Sequence, residues 1–109
     1  LGQLLVDGGR WQGDQIVPEK WIGEMQQSHA SIYEEGDYGY GLWISSLPFK
    51  GQQIPIYSAT GNGGQMLIAI PSLELVVGFT GGNYGNFPTW IKWRERLVPD
   101  YILRAVQAK

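Results

Sequence analysis

Residues 57–83, YSATGNGGQMLIAIPSLELVVGFTGGN, decide the fold of this chain. An apolar strand runs into a glycine-rich corner, Gly61-Asn62-Gly63-Gly64, and two strand-like runs, MLIAI and LELVVGF, follow with only Pro71-Ser72 between them. Such short connections predict antiparallel neighbours, so these runs form one folded-back sheet. Glycine is common where the backbone takes φ > 0 or where another group approaches the main chain. The corner is therefore either a turn or a binding site.

Composition places the chain among ordinary globular domains. Its 109 residues amount to one domain at most, with 43% hydrophobic and 17% charged residues. A net charge of -2 without a long basic run gives no electrostatic footprint for nucleic acid. No apolar stretch approaches the ~20 residues that span a bilayer. The chain has no cysteine, which excludes disulfides and thiolate chemistry but leaves the compartment open.

The first residues have the pattern of a helix that begins in mid-course. Leu1, Leu4 and Leu5 have helical spacing without an N-cap before them, and Gly8-Gly9 is typical of a helix end. We therefore expect residues 1–109 to be a single incomplete domain whose upstream part is missing. That missing N-terminal part is its first expected partner.

Prolines predict where the other helices begin. Pro18 is expected to open a helix that carries Trp21, and Pro88 a final helix that carries Trp90 and Trp93. Pro99 should end or kink the final helix near residue 98, because proline removes a hydrogen bond and collides with the preceding turn.

Alternating apolar residues predict four strands between these helices. We expect a connector at residues 10–17, a polar and irregular segment at 26–37, and a hairpin loop at 48–53. The predicted strands are residues 38–44, 54–60, 65–70 and 73–80.

This order predicts an α+β architecture, an antiparallel sheet flanked by helices. Residues 66–70 and 75–79 are apolar at nearly every position, which is typical of strands buried on both faces. We expect the cover of the second face to lie in sequence before Leu1. A sheet face left uncovered would lead the fragment to self-associate.

Four features occur here in one order: Tyr38-Gly39-Tyr40-Gly41-Leu42-Trp43, then Ala59-Thr60-Gly61-Asn62-Gly63-Gly64-Gln65, a strand pair ending near Gly82-Asn83, and an amphipathic helix. This order resembles the C-terminal part of serine hydrolases related to class C β-lactamases. That family includes DD-peptidase-like penicillin-binding proteins, esterases and hydrolases of small amides. The resemblance covers essentially the whole chain and is most specific at residues 60–65. It implies a β-lactamase/transpeptidase-like fold and a periplasmic or secreted location.

The resemblance also implies that the catalytic site is built from three sequence motifs. Such enzymes use a serine and a lysine in S-x-x-K, a tyrosine in Y-x-N, and a third K-T-G or H-x-G motif on a strand beside the cleft. No serine of this chain has a lysine three residues on, and the resemblance places Y-x-N between S-x-x-K and the third motif, so we expect both the S-x-x-K and the Y-x-N parts upstream. The intact protein would hydrolyse a small ester or amide through an acyl-enzyme. This fragment alone would be inactive.

The third motif maps onto Ala59-Thr60-Gly61. Ala59 stands where many relatives place lysine or histidine, which argues against penicillin-like substrates. The resemblance implies that Thr60 offers its hydroxyl to the substrate, that Gly61 lets the strand come close, and that the Asn62 backbone N–H is an oxyanion donor. No cofactor or metal is implied.

Other interpretations of these residues stay open. Asn62-Gly63 is also a strong hairpin signal, and turn and site are compatible. Five Trp, six Tyr and 16 Gly on an antiparallel sheet would suit a carbohydrate-binding module, with exposed rings stacked on sugars. Ala59 favours a third interpretation, in which the protein is an inactive family relative that serves as a binding domain.

The aromatic residues and the single histidine favour structural roles. We expect Tyr38, Tyr40 and Trp43 to pack on the sheet, because large aromatic side chains dominate core burial; the alternative is that they line a cleft. Trp21, Trp90 and Trp93 are expected in the core. His29 lies in a polar segment and is expected at the surface. No His, Asp and Glu cluster has metal-ligand spacing.

Overall fold

A computed structural model describes residues 1–32 and 36–107 of the chain. Helices α1 (Gly2–Val6) and α2 (Glu19–Met25) flank a small hairpin of β1 (Arg10–Trp11) and β2 (Asp14–Gln15). The main sheet follows, as β3 (Ala30–Ile32), β4 (Gly36–Tyr38), β5 (Trp43–Phe49), β6 (Gln52–Gly61), β7 (Gln65–Ile70) and β8 (Leu75–Phe79). The C-terminal helix consists of α3 (Phe87–Lys92), a π-helix (Trp93–Leu103) and α4 (Arg104–Gln107).

The α+β architecture with an antiparallel sheet is confirmed. The main sheet has six strands in the order β3-β4-β5-β6-β7-β8, and every neighbouring pair is antiparallel. The expected number of four strands was too low, because β3 and β4 arise from the segment predicted as irregular. β7 has the predicted bounds, and β6 extends the prediction by two residues at its start and one at its end.

The hairpin of β3 and β4 corrects the prediction for residues 26–37. Ala30 pairs with Tyr38 and Ser31 with Asp37, and the Ser31 hydroxyl donates to the Asp37 carboxylate at 3.1 Å. These strands contain few apolar residues, so the pattern gave no signal, and ladder hydrogen bonds hold them instead. The part of that prediction at residues 33–35 lies outside the described residues.

The predicted strand at residues 38–44 is wrong, because the chain turns between β4 and β5. Tyr38 pairs with Trp43, and the Gly39 N–H donates to the Leu42 carbonyl at 2.8 Å. Gly41 has φ +75°, which disfavours other residues. The hairpin loop predicted at residues 48–53 is shorter than expected, because β5 runs to Phe49 and only Lys50-Gly51 connect it to β6.

Successive residues of β6 and β7 point to opposite faces of the sheet, and each face carries a core. On the first face the C-terminal helix packs Val98 and Leu103 against fully buried Ile56 and Ile68. On the second face α1 and α2 pack Leu5 and Ile22 against Ala69, with Tyr57 and Ala59 at the edge.

Cover of the second face was expected from sequence before Leu1, but α1 and α2 supply part of it. The portion of this face that remains exposed carries Ser46, Pro48, Gln53 and Pro55. These residues do not form the large apolar patch that drives association.

Pro99 does not end the C-terminal helix. It lies inside the π-helix, which continues to Leu103. In an α-helix the proline ring collides with the carbonyl four residues earlier, and we infer that the wider π turn relieves this collision.

Two aromatic residues expected in the interior are exposed. Trp21 is 48% and Tyr40 45% exposed. The Tyr40 ring stacks between Trp21 and His29, with ring centroids 5.4 Å and 4.0 Å apart. The turn at residues 39–42 carries Tyr40 out of the sheet and onto the end of α2, which explains why it does not pack in the core.

Within residues 1–32 and 36–107, no helix combines the length and apolar character needed to cross a membrane.

Candidate functional site

The glycine corner is the turn between β6 and β7. The Gly64 N–H donates to the Gly61 carbonyl at 3.3 Å, and Gly63 and Gly64 have φ +95° and +99°. A Cβ on Gly64 would lie 2.6 Å from the Trp93 ring and 2.8 Å from the Trp90 Cβ. Backbone geometry and packing therefore require glycine at Gly64, so the turn interpretation accounts for that residue.

Gly61 is different from the two glycines that follow it. It has no positive φ, and the nearest neighbour of an added Cβ would be the Gln65 Cβ at 3.5 Å, an ordinary contact distance. The fold leaves room for a methyl group at this position. The turn interpretation therefore does not explain why Gly61 is glycine.

Residues 81–85 fix the corner from the other side. The Gly85 N–H donates to Asn62 Oδ1 at 2.9 Å, and the Asn83 N–H donates to the Gly63 carbonyl at 3.0 Å. Gln65 Nε2 donates to the Gly81 carbonyl at 2.7 Å. The Asn62 side chain thus accepts a hydrogen bond that holds the corner together. The Asn62 backbone N–H takes part in no hydrogen bond found among the described residues.

The four predicted site residues are consecutive but point to two faces. Ala59 packs against the core on the second face. Thr60 is exposed and lines a groove on the first face. Asn62 is exposed at the turn, and Gly61 is half-buried beside it. Ala59 therefore lies beneath α1 and α2, away from the groove that Thr60 borders.

The groove lies between the ends of β5 and β6 and the start of the C-terminal helix. Its volume is about 590 Å³, and it is lined by Trp43, Thr60, Phe87, Trp90, Ile91, Arg94 and Glu95. Apart from Thr60, and from Trp43 whose alternative interpretation was to line a cleft, these residues were not predicted as a site. Their sequence spacing is typical of ordinary strand and helix packing, so no local signal identified them.

A tyrosine beside the corner was also not predicted as part of the site. Tyr84-Gly85-Asn86 has the Y-x-N spacing, although it follows β6 in the chain instead of preceding it. Tyr84 is 69% exposed and its ring lies directly above Gly63, where an added Cβ would be 2.8 Å from Tyr84 Cδ1. This tyrosine is therefore part of the surface around the corner.

Four buried polar atoms have no hydrogen-bond partner in the described part of the chain. They are Ser45 Oγ, Ser58 Oγ, Gln65 Oε1 and Trp90 Nε1. Such atoms carry a desolvation cost of ~1–3 kcal/mol each when they stay unpaired.

Replacing Ser58 by alanine should stabilise the protein. Ser58 is fully buried in β6 and its hydroxyl has no partner among the described residues, so its removal should raise the free energy of unfolding by ~1 kcal/mol. Urea denaturation measures the change, and Ser72→Ala, at an exposed position, should leave stability unaltered. A loss of stability in Ser58→Ala would show that the hydroxyl is hydrogen-bonded.

Burial raises the pKa of the Tyr57 phenol, because the folded protein disfavours the charged phenolate. Tyr57 lies in β6 on the second face, paired with Ile44 and Ala69.

The protein should therefore lose stability at alkaline pH through Tyr57. A raised pKa in the folded state means that the contribution is complete below the unfolded-state pKa of ~10 and is lost as pH rises through the folded-state value. Tyr57→Phe should flatten the decline of the unfolding free energy above pH ~10, measured by urea denaturation. An unfolding free energy that falls equally steeply with pH in both proteins would contradict this expectation.

The acidic and histidine side chains of the described residues do not gather into a metal site. No group of three or more His, Cys, Asp or Glu side chains that would hold a metal ion is found in the part of the chain that the structure describes. His29 is exposed as predicted, and its Nε2 lies 2.7 Å from the Glu24 carbonyl oxygen, so the ring is held at the end of α2.

Comparison with known proteins does not assign this site to a family. No protein-family model matches the chain, and no curated protein matches it significantly.

Proposed function

We propose that the intact protein is a serine hydrolase that acts on a small ester or amide through an acyl-enzyme. In this proposal residues 60–62 form one wall of the reaction site, and the serine nucleophile is supplied from outside these 109 residues. The resemblance at residues 59–65 suggests the chemistry. The observation that carries it is that Asn62, an exposed residue, has a backbone N–H without a hydrogen-bond partner among the described residues, beside a Gly61 that the fold does not require.

The proposed role of Asn62 follows from the chemistry of acyl transfer. The serine oxygen forms a bond to the substrate carbonyl carbon, and the carbonyl oxygen becomes an oxyanion. A backbone N–H aimed at this oxygen stabilises the charge most when it is already fixed in place. The hydrogen bond from Gly85 to Asn62 Oδ1 fixes the residue without using its N–H.

The remaining steps complete a hydrolysis. The C–O or C–N bond breaks, the alcohol or amine leaves with a proton, and an acyl-serine ester remains. Water then attacks the ester, which releases the acid and restores the serine. Gly61 would let the substrate lie against β6, and the Thr60 hydroxyl would contact its polar group.

Reaction with a fluorophosphonate probe tests the proposal. The intact protein should gain the mass of one phosphonyl group on a single serine, and peptide mass spectrometry should place that serine in an S-x-x-K sequence. Heat-unfolded protein is the control, because labelling should need the folded site. Absence of an adduct on folded protein would contradict the proposed function.

A carbohydrate-binding role is the second candidate, and the exposed rings favour it. Trp21 is 48% exposed, and its stacking on Tyr40 holds the indole at the surface, where it would contact a sugar ring. Retardation in gels that contain soluble polysaccharide, lost in Trp21→Ala, would support this candidate. Unchanged mobility across neutral glucans, xylans and chitosan would count against it.

A further inference from the structure

We propose that the groove beside the C-terminal helix is a binding site for a small carboxylate with an apolar or aromatic body. The residues that carry this proposal are Trp43, Thr60, Phe87, Trp90 and Arg94. The proposal does not rest on serine chemistry, since none of these residues would form or break a covalent bond.

The walls of the groove suit an apolar body. Phe87 and Trp90 meet edge to face with ring centroids 4.7 Å apart, and Trp43 is held edge to face by Tyr38 at 4.9 Å. These contacts hold the three rings at the wall of the groove. A volume of about 590 Å³ lies in the range of small-molecule pockets.

Arg94 supplies a positive charge that has one weak partner among the described residues. Its side chain is 18% exposed, yet its only hydrogen bond among the described residues is a 3.4 Å contact with Glu95, whose side chain is 58% exposed. A guanidinium has five N–H donors in a planar fork. Because a largely buried charge is costly unless it is paired, this side chain favours an incoming acceptor.

A carboxylate is the group that best fits these donors. It can accept two parallel hydrogen bonds from one guanidinium, which fixes its orientation as well as its charge. Thr60 lines the same groove and adds a hydroxyl to it. We therefore infer that the apolar body lies among the rings while the carboxylate contacts Arg94.

Glu95 limits the charge that the ligand can carry. Its carboxylate also lines the groove and competes for Arg94, so a ligand with two negative charges would be repelled. A monocarboxylate can displace Glu95 towards solvent because that side chain is already more than half exposed. Removal of the competing charge should tighten binding.

Isothermal titration of the intact protein with 4-phenylbutyrate and with its neutral amide, 4-phenylbutanamide, tests the proposal. The carboxylate should bind at least 10-fold more tightly than the amide. Arg94→Gln should weaken carboxylate binding about 10- to 100-fold, as expected for loss of a charge-assisted hydrogen bond. Glu95→Gln should strengthen it about 2- to 5-fold.

Arg96→Gln is the matched control, because Arg96 lies on the same helix with a 77% exposed side chain paired to Asp100. It should leave binding of the carboxylate within 2-fold of the original protein.

Equal binding of acid and amide, equal effects of the two arginine substitutions, or no saturable binding at millimolar ligand would each overturn the proposal. If Arg94→Gln does not fold, the comparison of acid with amide decides alone. Fluorophosphonate labelling is unaffected by these outcomes, so the two proposals can fail separately.

Discussion

Replacing Asn62 by proline in the intact protein should lower kcat about 10²- to 10³-fold. Proline has no backbone N–H, so the substitution removes the proposed oxyanion donor, and one such donor contributes about that much to acyl transfer. The corner should tolerate proline, because Asn62 has no positive φ and its N–H takes part in no hydrogen bond found among the described residues. Steady-state hydrolysis of p-nitrophenyl acetate measures the effect.

Asn62→Ala is the matched control for this experiment. It keeps the N–H and removes only the side-chain oxygen that accepts a hydrogen bond from the Gly85 N–H at 2.9 Å. We expect a much smaller loss of rate than in the proline variant, through a less firmly held corner. For the proline variant kcat and kcat/KM should fall together, as they do when an interaction exists only in the transition state. A near-normal kcat would show that this amide is not an oxyanion donor.

Replacing Gly64 by alanine should lower the free energy of unfolding by about 2–5 kcal/mol. Two effects add: the left-handed backbone at φ +99° costs ~1–2 kcal/mol for a residue with a Cβ, and the methyl group would overlap Trp93 and Trp90 at a cost of ~1–3 kcal/mol. Both tryptophans belong to the C-terminal helix, so the strain should loosen its packing on the sheet. Urea denaturation followed by tryptophan fluorescence measures the change.

Two other strand glycines serve as controls for Gly64. A Cβ on Gly78 would meet no atom within 4 Å, and one on Gly61 would meet only Gln65. Gly78→Ala and Gly61→Ala should therefore be neutral or stabilise the protein by up to ~1 kcal/mol, because alanine restricts the unfolded chain. Gly61→Ala should still slow hydrolysis if substrate lies against β6. Similar stability in all three variants would contradict the packing that we describe at Gly64.

Local pattern predicted the centre of the sheet well. β7 has the predicted bounds and β6 nearly so, because Ile54, Ile56, Met66, Ile68 and Ile70 recur at every second position and become the buried side of the first core. Pro71 then marks the end of β7, where a short 3-10 turn leads into β8. Where apolar periodicity and turn residues agree, the sequence is sufficient to place a strand.

Elements that depend on distant partners were misjudged. β3 and β4 carry little apolar pattern and exist through their pairing with each other and with β5. Gly39 was assigned to a strand, but a Cβ there would collide with the Met25 carbonyl oxygen, so a helix remote in sequence sets its conformation. Trp21 was predicted in the core because tryptophan is usually buried, yet its ring stacks on Tyr40 at the surface.

For the candidate site, the sequence by itself determined the glycine corner at the end of β6, the absence of an S-x-x-K serine, and the composition that excludes cysteine chemistry. Only the tertiary structure decided which glycines the fold requires and that Ala59 packs in the second core while Thr60 borders the groove. It also decided that Trp43 meets Trp90 and Arg94 around that groove. Residues in one turn are brought together by local backbone geometry. Residues 43 and 94 meet only because the C-terminal helix buries its apolar side against the sheet, and that depends on the packing of the whole chain.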